Sequence, residues 1–112
     1  MAALKMTRAG NRSFDSLRPC EITLDPMGFA LSSVIIRTGR TKVLCSACLQ
    51  EGVPSWRQGQ GKGWLSAEYR LLPASAPTRK ERELMKLSGR TQEIQRLIGR
   101  SLRAVIDMKA FA

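Results

Sequence analysis

The 112-residue sequence contains no histidine. That absence excludes Ser-His-Asp and Cys-His nucleophile activation, and every zinc site that needs an imidazole. Aromatic residues are scarce at 5%, leaving few platforms on which bases stack. Acidic residues are also few: 9 Asp and Glu stand against 19 Lys and Arg, for a net charge of +10. Such a surface attracts polyanions, of which nucleic acid is the commonest, but charge alone selects a partner class and no reaction. No run approaches the roughly 18 apolar residues of a membrane span, and the N-terminus lacks the apolar core of a signal peptide. A cytoplasmic protein without membrane association is expected. The three cysteines, Cys20, Cys45 and Cys48, are odd in number and lie in apolar stretches, which argues for a reducing compartment and against a disulfide framework. The spacing of Cys45 and Cys48 invites a redox reading, yet a strand places residues three apart on opposite faces.

What is present is a hydrophobic fraction of 43%, ordinary for a chain that folds. Residues 1–16 are basic and polar without periodicity and read as an arm. Its Arg8 and Arg12 suit RNA contact or solvated surface. From Cys20 the pattern alternates: Cys20, Ile22 and Leu24 against Glu21, Thr23 and Asp25, with a turn at Pro26-Met27-Gly28. Phe29–Ile36 forms a second run. Thr38-Gly39-Arg40 supplies a hairpin turn into Thr41–Leu49, where Val43, Leu44 and Cys45 imply burial on both faces. These runs predict an antiparallel meander.

The glycine-rich stretch ending Gln58-Gly59-Gln60-Gly61-Lys62-Gly63 looks at first like a phosphate cradle. No Ser or Thr follows the lysine, and no helix follows a G-x-G-x-x-G, so a flexible surface loop is the default. Trp64–Leu71 alternates again and predicts a fourth strand. Residues 73–77 form a Pro/Ala/Ser linker, and Arg79, Lys80, Arg82 and Lys86 mark a mobile basic loop.

The strongest local signal is a helix from about Thr91 to Met108. Ile94, Leu97, Ile98, Leu102, Val105 and Ile106 repeat at the spacing of one buried face, with Arg96, Arg100, Arg103 and Asp107 opposite. The arginine stripe suits RNA, another subunit or simple solvation. At the start of this helix, Ser88-Gly89-Arg90-Thr91 combines a small-residue turn, two hydroxyls and a guanidinium. Free N–H groups and the macrodipole favour anions there, and arginine adds a planar fork that matches phosphate. An ordinary capped helix has the same composition.

Leu17-Arg18-Pro19, Thr41-Lys42-Val43-Leu44-Cys45, Glu51-Gly52-Val53-Pro54, Gly61-Lys62-Gly63-Trp64, Ala67-Glu68-Tyr69, Leu72-Pro73 and the long block Ser88–Ala104 resemble, in order and spacing, the first half of the ribonuclease PH family. The resemblance covers nearly all of the chain after Arg8. It implies an α/β (α+β) fold of the ribosomal-protein-S5-domain-2-like type, here a partial one: a mixed or antiparallel sheet with a long C-terminal helix over residues 17–112. It also implies a phosphate-dependent 3'-exoribonuclease that trims transfer RNA precursors by phosphorolysis and releases nucleoside diphosphates. Inorganic phosphate is its co-substrate, Mg2+ its metal, structured RNA 3' ends its substrates, and a ring of dimers its assembly. By the same resemblance Arg90 matches the family's phosphate-binding arginine, and Arg79 and Arg82 match RNA-contacting basic positions.

The chain departs from the family in places. Arg8-Ala9-Gly10-Asn11-Arg12 lacks the aspartate of the family's Arg-x-Asp-Gly-Arg, Gly39-Arg40-Thr41 replaces a Gly-Asp-Thr turn, and Ala74 stands where arginine is common. Family members are about twice as long. Their Gly-Thr-Arg phosphate clamp and their pair of aspartates would fall beyond Ala112, so this stretch is expected to hold no catalytic residue or metal ligand and the chain alone to be inactive. Glu68 and Glu93 are available carboxylates that form no evident pair. The alternatives are a non-catalytic RNA-binding or exosome-like ring subunit and, from a third class, a basic ribosomal protein.

Overall fold

A computed structural model describes residues 8–112; the first seven residues of the expected arm lie outside the described residues. The chain divides into two compact units, Met1–Gln50 and Glu51–Ala112.

The first unit is built on three strands: β1 (Cys20–Leu24), β2 (Ser32–Thr38) and β3 (Thr41–Ala47). They pair antiparallel in the order β1-β2-β3, with Ile22 opposite Ile36 and Ile36 opposite Val43. The expected meander is therefore present. Gly39 makes the hairpin turn with φ +61°, a left-handed conformation glycine adopts without a Cβ clash. Its N–H donates to the Pro19 carbonyl at 3.0 Å, tying the chain before β1 to the turn. The connection from β1 to β2 is longer than a simple turn and closes on Ser33, which is 4% exposed and exchanges hydrogen bonds with the Met27 backbone. Ahead of the sheet, Arg8 N–H donates to the Arg12 carbonyl across a turn at Gly10 and Asn11.

Burial of β3 on both faces does not occur, since Val43, Leu44 and Cys45 are exposed. Three strands make a single layer, and nothing among the described residues covers both its faces. All three cysteines are free and exposed.

The second unit is organised around helix α1 (Gly89–Arg103). It begins two residues earlier and ends five residues earlier than the apolar spacing predicts. At its end the Ala104 N–H bonds the carbonyls of both Arg100 and Leu102, and Val105 N–H bonds Leu102, which tightens the last turn and breaks the α pattern. A short 3-10 turn follows at Met108–Phe111, capped by the Asp107 carboxylate on Lys109 N–H. Asp107 thus caps the next element and does not continue the arginine stripe.

The expected fourth strand over Trp64–Leu71 does not form a ladder. Side chains of α1 satisfy its backbone instead: Gln95 Oε1 accepts from Tyr69 N–H at 3.2 Å, and Arg103 donates to the Leu65 carbonyl at 2.8 Å. The face of α1 expected to be buried is only partly covered. Ile94, Ile98 and Ile106 are half-buried, while Leu97 and Val105 are open.

No apolar side chain is fully buried among the described residues. A three-stranded antiparallel sheet followed by one long helix near the C-terminus is the partial S5-domain-2-like arrangement that the resemblance implies.

Candidate anion site at the start of helix α1

Ser88 is the N-cap, in extended conformation, and its Oγ accepts from Thr91 N–H at 3.2 Å. The first helical bond runs from Gln92 N–H to the Ser88 carbonyl. Serine serves here because its oxygen reaches the N–H three residues on, an orphan donor of the first turn. Gly89 N–H and Arg90 N–H find no acceptor among the described residues, and the Arg90 side chain is exposed and makes no hydrogen bond or ion pair there. Two unspent backbone donors thus sit at the positive end of a 15-residue helix, and Arg90, with an unspent guanidinium, belongs to its first turn. Chemically the arrangement can take an anion.

Glu83 belongs to the same site and was not singled out by sequence reasoning, which took its segment as basic. One carboxylate oxygen accepts from Ser88 N–H at 2.9 Å and the other from the Thr91 hydroxyl. These bonds hold the Glu83 carboxyl below the usual carboxylate range, the Thr91 hydroxyl contributing most. A signal was available: an acid a few residues ahead of a Ser-x-x-Thr helix start is favoured by the dipole. Arg79 and Arg82 are exposed in the segment before it.

The expected arginine stripe is dispersed. Arg96 pairs with Glu93 at 2.7 Å. Arg103, expected on the solvent face, turns back over the Trp64 ring at 4.4 Å from its centroid and bonds Leu65. Gly99 makes this possible, since a Cβ there would stand 2.8 Å from the Arg103 guanidinium. Only Arg100 of the three lacks a partner among the described residues. Trp64 in turn meets Trp56 edge-on at 4.6 Å.

The glycine-rich loop folds about Arg57, which donates to the Gly63 carbonyl and to Gln60. Gly63 is buried and bonds the Met108 carbonyl, where a Cβ would collide with Phe111 backbone. This loop closes on protein groups. Glu68 is exposed, and no three of the His, Cys, Asp or Glu side chains come together as a metal-holding group among the described residues. These residues do not by themselves fit Mg2+.

Residues 16–112 match the model of the 3' exoribonuclease family, domain 1. The chain is 78% identical over 103 residues to a ribonuclease PH from Prochlorococcus marinus, covering 92% of this chain and 42% of the relative. It is 70% identical over 102 residues to one from a Synechococcus species, covering 91% and 41%. A ribonuclease PH from Mycobacterium leprae is 58% identical over 106 residues, covering 93% and 41%. The chain therefore spans about two fifths of the length of these relatives.

Proposed function

The chain belongs to the 3' exoribonuclease family, as its first domain, and from that premise we propose that the protein carrying it is a phosphate-dependent 3'-exoribonuclease acting on transfer RNA precursors. In this reaction an oxygen of inorganic phosphate attacks the terminal internucleotide phosphorus. The bond to the 3' oxygen of the preceding nucleotide breaks, that oxygen takes up a proton, and a nucleoside diphosphate leaves. The difficulty is electrostatic, because a dianion must approach a polyanion, and preorganised donors relieve it.

One observation carries the reading. Gly89 N–H and Arg90 N–H are unspent at the positive end of α1, and Arg90, with an unspent guanidinium, belongs to its first turn. We assign Arg90 to inorganic phosphate and Arg79 and Arg82 to the RNA backbone. This chain then supplies half of the phosphate site, while the acid that protonates the leaving 3' oxygen and the Mg2+ ligands come from outside residues 8–112. Residues 17–112 form the N-terminal half of the catalytic domain in this proposal, residues 1–16 an arm, and the complete protein a cytoplasmic ring of dimers. The exposure of Leu44, Leu97 and Val105 fits a chain on which the rest of its domain packs, and no helix among the described residues is long and apolar enough to cross a membrane.

The test uses a chimera in which this chain replaces the matching 103-residue stretch of the Prochlorococcus relative. With transfer RNA precursor it should release nucleoside diphosphates in proportion to added phosphate, whereas the chain alone should release none. A chimera that binds RNA but never releases diphosphate would favour a non-catalytic ring subunit.

A further inference from the structure

The basic segment that carries Arg79 and Arg82 is held at two points, although its composition reads as a mobile loop. On one side Lys80 N–H donates to the Pro73 carbonyl at 2.9 Å. On the other, Glu83 reaches forward to Ser88 N–H and the Thr91 hydroxyl. Arg82 lies between these ties, and Arg79 adjoins the first.

Glu83 grips the two residues that bracket Gly89 and Arg90. Thr91 is only 6% exposed, and its hydroxyl already accepts from Ser88 Oγ at 3.0 Å. Its proton goes to Glu83, so loss of the carboxylate leaves a buried donor without an acceptor. The bonds to Thr91 and Ser88 also lower the Glu83 pKa from its ordinary value.

We infer that Glu83 is a positioning residue: its carboxylate couples the segment carrying Arg79 and Arg82 to the first turn of α1 carrying Arg90, so that RNA and phosphate are held in one register. The inference rests on the assignments made under the proposed function.

Electrostatics alone has the opposite sign. Deleting a negative charge beside Arg79 and Arg82 raises the net positive field and tightens a polyanion. Positioning makes the same deletion weaken it.

The experiment compares the chimera with its Glu83→Ala and Glu83→Gln variants, well below their melting temperatures. RNA affinity is read by fluorescence anisotropy without phosphate, and KM for RNA and for phosphate by diphosphate release. Glu83→Ala should weaken RNA binding about fivefold and raise both KM values about tenfold, with kcat changed little, as expected for loss of a charged two-donor contact. Glu83→Gln keeps one acceptor oxygen and should fall between Glu83→Ala and the parent.

Tighter RNA binding by Glu83→Ala would overturn the inference in favour of plain charge repulsion. A lowered melting temperature with RNA affinity and both KM values within about twofold of the parent would overturn it in favour of a purely structural cap. If the parent chimera binds RNA without releasing diphosphate, the proposed function fails, and anisotropy alone still decides the role of Glu83 by the same two signs.

Discussion

Residues 8–50 and residues 51–112 keep their order by different means. In the first region a backbone ladder does most of the work: β2 pairs with β1 over five positions and with β3 over seven. Long side-chain links are few there, the Arg37–Glu21 cross-strand pair at 2.6 Å among them, and both partners are exposed, where such pairs contribute little. In the second region no ladder exists. Arg57, Gln95, Arg103 and Glu83 reach across to backbone groups or hydroxyls, and Gln95 and Arg103 take the place of bonds that a fourth strand would have made. A ladder tolerates changes of side chain except at its turns, whereas a unit jointed by polar side chains fails at single residues. The candidate site lies in the second kind of structure, so its geometry depends on side chains that never touch an anion.

The largest effect should come from cutting the principal joint of the second region. Arg103→Ala in the chimera removes the cation over Trp64 and the donor to Leu65, and should cost about 3 kcal/mol of stability, read by urea unfolding. A loss below about 0.5 kcal/mol, the level of an ordinary surface change, would erase the contrast between the regions.

In the first region only the turn should approach that size. Gly39→Val places a β-branched residue at φ +61°, with Arg18 Cδ 3.1 Å from the new Cβ, and should cost about 1–2 kcal/mol. Exposed changes within the strands, such as Lys42→Thr, should stay within about 0.5 kcal/mol in the same unfolding experiment.

Arg79→Ala with Arg82→Ala sharpens the comparison from the ligand side. RNA affinity should fall about tenfold, alike for different sequences, and the slope of log affinity against log salt should shrink by about 1.4, two single-strand phosphate contacts being lost. An unchanged slope would remove both residues from the RNA interface.

The smallest effect concerns pH. The Glu83 carboxyl is lowered in the folded chain relative to its ordinary value, so its contribution is full above the ordinary glutamate pKa of about 4.3. That contribution is lost as pH falls through the folded value. Unfolding midpoints of the parent should therefore drop more than those of Glu83→Gln between neutral pH and that acid range, and parallel curves would deny the carboxylate its role at the helix start.

The same contrast explains what could be read from the residues in order. The sheet was legible because alternation and Gly39 specify strands and a tight turn without help from distant residues. The helix and its Ser88 cap were legible because 3.6-residue periodicity and capping are local. The fourth strand was not, because alternation in Trp64–Leu71 reports two different faces and says nothing about a ladder partner; Gln95 and Arg103 take the place of one. Arg103 was assigned to solvent by angle alone, which ignores a long side chain that folds back where Gly99 leaves room. The end of α1 was overrun because Val105 and Ile106 continue the apolar spacing past the turn that closes at Ala104. Glu83 was hidden by the basic residues around it, although its two acceptors do more for the site than their charge.

In the proposed function Arg90 meets inorganic phosphate at the start of α1. Arg90→Lys in the chimera keeps the charge and loses the planar fork, so KM for phosphate is the measurement that bears on it most directly. It should rise about tenfold or more, with RNA affinity and melting temperature close to the parent's. A variant that melts earlier while its phosphate dependence is unaltered would make Arg90 a structural residue and contradict the assignment.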